Sequence, residues 1–308
     1  MPTPIQKIGN ELLAKKNIQL FIKRDDLTHP QVSGNKFRKL KYNLFNARKQ
    51  EYQQLLSFGG AFSNHIHALA AVGKLFDFKT IGIIRGERIE PLNNTLSFAE
   101  KAGMQLEFIS RSDYRLKKEK TFQEKLFSKF GKSYLIPEGG TNLLAIEGAK
   151  EIVLEAVQQI DADYYCLACG TGGTTAGIIA GLQGKKQVLS FSALKGSFLQ
   201  QDIYNLLKNY QPNPVYDNWQ VQNDYHFGGF AKWNMALIKF INDFKSQHQI
   251  PLDPIYTGKL LFGIFDLIKK DYFPAGTKIL AIHTGGLQGI TGFNQRFGGA
   301  DGSALVNV

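Results

Sequence analysis

The chain has 308 residues, 43% of them hydrophobic and 20% charged, with 37 lysines and arginines against 26 aspartates and glutamates. This is ordinary globular composition with enough apolar material for a large core, which excludes a disordered or fibrous chain. The net charge of +11 is spread along the sequence, and its densest run, residues 115–125, alternates lysine with glutamate like a solvated helix face. No nucleic-acid signature with interleaved aromatics accompanies it, so the positive field points to small anionic substrates rather than to nucleic acid. No secretory run follows Met1 and no apolar stretch could span a bilayer, so the expectation is a cytoplasmic protein without a membrane partner.

In chain order, short apolar runs at 54–58, 79–86, 105–110, 133–137, 163–168, 186–194 and 278–284 predict strands. Segments of helical length lie between them, among them 91–103, 143–160 and 230–245. Alternating strands and helices predict an α/β fold with parallel sheets covered on both faces, and this many units exceed one small sheet. The two cysteines, Cys166 and Cys169, lie in the strand-like run "DYYCLAC". No second cysteine pair or close histidine pair completes a metal site, so no metal is expected and both cysteines are read as structural.

In open α/β sheets, ligands sit where strands give way to helices. Four such exits are glycine-rich: "FGGAFSNHIHALAAVG", "PEGGTN", "CGTGGTTAG" and "HTGGLQG". In the third, Gly170, Thr171, Gly172, Gly173 and Thr174 lead into a helix beginning near Thr175. Backbone amides, hydroxyls and a helix N-terminus together make a phosphate cup. It lacks the Gly-Lys-Ser/Thr of a nucleotide loop and the Gly-x-Gly-x-x-Gly spacing of a dinucleotide fold.

The stretch "VSGNKFRKLKYNLFNARK" turns through Ser33-Gly34-Asn35 into an amphipathic helix with Phe37, Leu40, Leu44 and Ala47 facing a core. Lys36 and Lys39 share another face at the helix start, where a positive charge is disfavoured unless an anion lies nearby. A lysine fixed in a turn can condense with an aldehyde. Together with a phosphate cup, it points to pyridoxal phosphate. Ser63 or Asn64 caps the helix after "FGGAF", and beside a cofactor the same free amides would hold a carboxylate.

Several segments, in order, resemble the 1-aminocyclopropane-1-carboxylate deaminase / D-cysteine desulfhydrase family of fold type II pyridoxal-phosphate enzymes: "KRDDLTHPQVSGNKFRKL", "FGGAFSNHIHALAAVGK", "IPEGGTN", "CGTGGTTAG", "LDPIYTGKLLFGIFDLI" and "IHTGG". The resemblance implies two open, twisted, mostly parallel sheets flanked by helices, with the cofactor in the cleft between a larger lobe (1–38 plus 143–308) and a smaller one (39–142). It makes Lys36 the Schiff-base lysine, and has Lys39 reach the cofactor phosphate beside Gly170–Thr174. Ser63 is assigned to substrate and to nucleophilic or proton-shuttling work, Asn64 to the cofactor's phenolic oxygen or the substrate carboxylate, and Tyr256 to the neighbourhood of the cofactor ring, where it contacts the substrate or relays a proton. His65 is left between a helix-start residue and a substrate contact.

Thr257 stands at the position expected to face the pyridine nitrogen, where ring-opening deaminases are expected to carry glutamate. Phe230 stands where the family often has a second tyrosine, for which Tyr225 is a candidate stand-in. The implied reaction is β-elimination, first of all of D-cysteine to pyruvate, sulfide and ammonia. The alternatives are 1-aminocyclopropane-1-carboxylate deamination and an amino-acid racemase or dehydratase. The expected partner is a small amino acid, and the expected assembly a homodimer.

Overall fold

Each apolar run long enough to fill one strand, followed by a helix with one apolar stripe, makes a unit that must bury both faces of its strand. In the computed structural model, which describes residues 2–211, 216–298 and 305–307, these units form two sheets. The strands are β1 (Ile5–Ile8), β2 (Gln19–Lys23), β3 (Gln54–Gly60), β4 (Lys79–Arg85), β5 (Met104–Ile109), β6 (Tyr134–Ile136), β7 (Tyr164–Cys169), β8 (Gln187–Ser192), β9 (Trp219–Gln222) and β10 (Lys278–Ile282). The larger sheet has the order β1-β2-β10-β7-β8-β9, and the smaller β5-β4-β3-β6. All pairings are parallel except β1 with β2. The α/β fold with two mostly parallel, helix-flanked sheets is thus as expected.

All seven expected strands form. Three others, β1, β2 and β9, do not stand out in the sequence: β1 (IQKI) and β9 (WQVQ) are four residues long and interrupted by polar side chains, and both lie at edges of the larger sheet. The helix expected over 230–245 begins only at Met235, capped by the Asn234 side chain, and runs to His248. Ahead of it Phe227 and Ala231 have positive φ, which helix cannot accommodate.

Strand order fixes where ligands go. On β7 the chain order reverses, with β10 on one side and β8 on the other; β3 is the equivalent strand of the smaller sheet, between β4 and β6. Crevices open at the carboxyl ends of such strands. The Gly170–Thr174 loop follows β7, and Ser63 follows β3. Cys166 packs into the apolar layer on one face of the larger sheet and Cys169 into the layer on the other. Both are free and buried, since three residues of strand put side chains on opposite faces.

Three helices carry the cleft. Asn35–Lys49 bears the two lysines, Leu143–Ala156 supports it, and Gly173–Leu182 continues the glycine loop. They touch at glycines. A Cβ on Gly148 would lie 1.9 Å from the carbonyl oxygen of Arg38, and one on Gly177 would lie 2.4 Å from Cβ of Ala149. The middle helix is therefore packed at near-backbone distance against both others. Gly148→Ala is expected to destabilise the fold by about 1–3 kcal/mol through overpacking. A urea unfolding midpoint equal to that of the parent protein would refute this close contact.

Candidate active site

The cavity between the sheets has a volume of about 900 Å³. Six cationic side chains line it, Lys36, Lys39, Arg85, Arg111, Lys232 and Arg296, against one carboxylate, Glu138. Of the residues expected from sequence, Lys36, Lys39, Ser63, Asn64, His65, Gly170, Thr171, Gly172, Gly173, Thr174 and Tyr256 all reach its wall. Thr257 does not.

The lysine turn is built by Gly34. Its φ is 67°, and a Cβ there would lie 1.9 Å from the carbonyl oxygen of Thr284, so only glycine fits. The Gly34 amide donates to the carbonyl of Asp25 and the Asn35 amide to that of Thr284. The Asn35 side chain then donates to the Thr174 hydroxyl at 2.8 Å. One hydrogen bond thus joins the lysine turn to the glycine loop, 139 residues away in sequence.

Lys39 is almost fully buried. Its amine donates to the Gly139 carbonyl at 2.6 Å and the Thr141 hydroxyl at 2.8 Å, and stands 3.1 Å from where a Gly173 Cβ would be. A side chain at Gly173 would fill the cup. The helix that starts there has Gly172 in the left-handed region as its N-cap and no side-chain cap. Burial lowers the Lys36 amine from its ordinary 10.5 to about 8. Burial, and then the neighbouring Lys36 charge, push Lys39 well below its ordinary value. Two desolvated amines beside an uncapped helix start fit a group that is both an aldehyde and a phosphate: the phosphate would lie on the loop beside Lys39, and the aldehyde at Lys36.

The opposite wall comes from β3. Ser63 caps the helix Asn64–Leu75, its hydroxyl accepting from the Ile66 amide at 3.3 Å. Asn64 accepts from Gln288 through its carbonyl oxygen, which leaves its amide hydrogens for the cavity. His65 is buried, and burial followed by the charges of Lys36 and Lys39 lowers its pKa far below the usual range, so the ring is neutral. The Ser57 hydroxyl gives its proton to the Ile136 carbonyl at 2.6 Å. The contact between Ser57 and Nε2 of His65 at 2.8 Å is therefore an N–H donation from the ring. Nδ1 is then a bare acceptor without a partner among the described residues. Such a ring cannot hold a carboxylate; only the backbone amide of His65 can.

Tyr256 lies over the glycine loop, its Cε1 at 3.2 Å from a Gly170 Cβ position, and burial, then Asp253, raise its phenol. Thr257 lies behind the cavity wall. It is fully buried, takes a hydrogen bond from the Asp253 amide and gives its one hydroxyl proton to the Asp253 carboxylate at 2.7 Å. Asp253 also accepts from the amides of Ile255, Tyr256 and Thr257 and so fixes the start of the helix. Tyr225 is no substitute at Phe230. It is buried against Phe191 with its hydroxyl on Asp266, whereas Phe230 lines the cavity edge-on to Tyr256. Arg85, Arg111 and Glu138 were not found from sequence: charged residues at strand ends look like solvated surface.

Residues 1–285 match the family model described as pyridoxal-phosphate dependent enzyme. The chain is 30% identical to the Arabidopsis thaliana "Bifunctional D-cysteine desulfhydrase/1-aminocyclopropane-1-carboxylate deaminase, mitochondrial", over 94% of this chain and 77% of that protein. It is 27% identical to a D-cysteine desulfhydrase of Klebsiella pneumoniae, over 92% of each. Among solved structures it superposes on an ACC deaminase homologue with a TM-score of 0.84 at 28% identity, covering 96% of this chain and 93% of that one. The lysine turn, the uncapped glycine loop and these matches agree: the chain belongs to the pyridoxal-phosphate-dependent enzymes, in the group of the 1-aminocyclopropane-1-carboxylate deaminases and D-cysteine desulfhydrases.

Proposed function

We propose that the protein catalyses β-elimination from a small amino acid, with D-cysteine the first candidate: D-cysteine and water give pyruvate, hydrogen sulfide and ammonia. The observation that carries this reading is Lys36, a half-buried amine beside a phosphate cup that desolvation lowers to about 8, since such an amine is a competent base near neutral pH. A relative named D-cysteine desulfhydrase supports the choice of substrate.

Bound pyridoxal phosphate supplies an aldehyde that condenses with amines and a ring that withdraws electrons from Cα of the substrate. The remaining work falls to the chain. Lys36 takes the Cα proton, and the electron pair of the Cβ–S bond leaves with sulfur. The cup at Gly170, Thr171, Gly172, Gly173 and Thr174, with Lys39, anchors the phosphate through amides and one ammonium. The Ser63 helix start takes the substrate carboxylate on the amides of Asn64 and His65, and the Asn64 amide hydrogens serve the same anion or the phenolic oxygen. The Ser63 hydroxyl and the Tyr256 phenol, both at the cavity wall, are the groups available to pass a proton to the departing sulfur. In this reading segment 39–142 is the lobe that closes over the substrate, 1–38 with 143–308 is the lobe that holds the cofactor, and the working enzyme is a cytoplasmic homodimer.

Removal of a Cα proton is impossible for 1-aminocyclopropane-1-carboxylate, which has none, so a base at Lys36 favours elimination over ring opening. The assay is direct. Holoenzyme given D-cysteine is expected to release sulfide and pyruvate in equal amounts; 2-oxobutyrate from the cyclopropane substrate without sulfide from either enantiomer of cysteine would overturn the reading.

Lys36→Ala is expected to abolish covalent retention of the cofactor after borohydride reduction, read as the loss of the cofactor's mass from the protein. Lys39→Ala should retain that mass but weaken cofactor binding by about 10–100-fold, the scale of one charge-assisted contact. Retention in Lys36→Ala would refute the assignment.

Aldehyde capture needs the neutral amine. With a pKa of about 8, its rate in apoprotein should rise about tenfold per pH unit below that value and level off above it. A rate that climbs unabated past pH 9.5, followed by stopped-flow absorbance, would place the amine at its ordinary value instead.

A further inference from the structure

Four cations of the cavity, Arg85, Arg111, Lys232 and Arg296, have no task in this scheme, and two of them, Arg85 and Arg111, stand at neighbouring strand ends of one sheet. Arg85 is the last residue of β4, and Arg111 opens the short helix Arg111–Arg115 just after β5. Both line the cavity. Among the described residues, no carboxylate lies within 4.0 Å of either group. Arg85 rests over the ring of Tyr114, 5.6 Å from its centroid. Glu138, the carboxylate of the cavity wall, is engaged elsewhere: it accepts from the Tyr114 hydroxyl at 2.7 Å and pairs with Lys117 at 3.4 Å.

Sheet register places these groups relative to the substrate. Gly60, three residues before Ser63, pairs with Arg85, and Arg85 pairs with Ile109, two residues before Arg111. Ser63, Arg85 and Arg111 therefore leave three adjacent parallel strands, β3, β4 and β5, at their carboxyl ends. Neighbouring strands lie about 5 Å apart. Arg85 Nη2 comes within 3.5 Å of a Gly60 Cβ position, so its guanidinium leans back over the strand that delivers Ser63. An amino acid held by its carboxylate at Ser63 and extending along the sheet meets Arg85 first and Arg111 next.

The charge balance points the same way. The cofactor phosphate and aldehyde draw on Lys39 and Lys36, and the substrate carboxylate draws on backbone amides. Neither needs a guanidinium. Exposed arginines at the cavity rim, with no carboxylate partner among the described residues, match a planar or tetrahedral oxyanion, which a guanidinium holds through two parallel hydrogen bonds.

We propose that Arg85 and Arg111 form an anion subsite for the far end of the substrate, so that the preferred amino acid carries a sulfonate, sulfate, phosphate or carboxylate on its β-substituent. This deepens the β-elimination reading and rests on it. The chemistry balances as for cysteine: the Cα proton passes to Lys36, the Cβ–X electron pair leaves with X, and water replaces nitrogen to give pyruvate and ammonia.

The test uses holoenzyme and pyruvate release from both enantiomers of β-chloroalanine, whose substituent is neutral, and of cysteate, S-sulfocysteine and O-phosphoserine. At least one anionic substrate should show a KM well below that of β-chloroalanine. The double variant R85Q/R111Q should lower the ratio of kcat/KM for that substrate to kcat/KM for β-chloroalanine by about 10–100-fold. Inorganic sulfate should compete with the anionic substrate in the parent enzyme and lose that effect in the variant.

A ratio unchanged by the substitutions, or a loss shared equally by neutral and anionic substrates, would overturn the subsite. The second result would make the arginines carboxylate ligands. Pyruvate from β-chloroalanine with no gain for any anionic substrate removes the subsite and leaves elimination standing. No pyruvate from any substrate removes both.

Discussion

In the proposed scheme Lys36 and the Gly170–Thr174 loop must be held a fixed distance apart to take the two ends of one cofactor, and the hydrogen bond that joins their segments spans 139 residues of sequence. The hydrogen bond from Asn35 to Thr174 closes that gap, but one bond worth about 1 kcal/mol does not hold two helices in place. The fixing comes from packing. Gly148 and Gly177 let the helix Leu143–Ala156 lie almost backbone to backbone against the helices on either side, and close-packed interiors do not deform gradually. The lysine turn and the glycine loop are thus the N-termini of two helices clamped to a third.

The helix Asn35–Lys49 shows how one element can carry cations in two opposite electrostatic states. Arg38 is buried and fully paired, with Asp25 at 3.3 Å and Glu155 at 2.5 Å, and its charge is held firmly. Lys39, the next residue, is equally buried and meets only a carbonyl and a hydroxyl. Lys36 likewise has no carboxylate close by among the described residues. Pairing offsets the desolvation of Arg38; withholding it leaves the lysines ready to give up a proton or accept an anion. The carboxylates are spent on the structural side of the helix and kept from the chemical side. That arrangement costs stability in the apoprotein, which a phosphate dianion bound there would relieve.

How much of this could be read from residues alone depends on whether each signal was local. Continuous apolar runs such as "KTIGIIR" and "YYCLAC" mark buried parallel strands directly, and Ser63 announces its helix by its position ahead of an alanine-rich stripe. Short edge strands such as β9 draw their stability from a neighbour and carry no periodicity of their own. The site residues found in advance were those whose conformation is dictated locally: Gly34 before Lys36, and the glycines of the cup. The pairing of Thr257 with the Asp253 carboxylate belongs to a helix-start geometry not evident in the run "LDPIYTGK". Arg85, Arg111 and Glu138 acquire meaning only when three strand ends are laid side by side, a property of register that spacing along the chain does not encode.

That distribution separates the two tasks of the enzyme. The larger sheet and its glycine loop supply amides and fixed backbone, features that hardly vary without losing the cofactor, since a Cβ at Gly173 would meet Lys39 and Thr141. The smaller sheet supplies Ser63, Arg85 and Arg111 from successive strand exits, where a side chain can change without disturbing the cup. In the proposed scheme, recognition of the cofactor would rest on helix packing and discrimination among substrates on exposed side chains. Relatives at about 30% identity can share one cofactor site and still differ in the amino acid they consume. In this chain those strand exits carry Arg85 and Arg111.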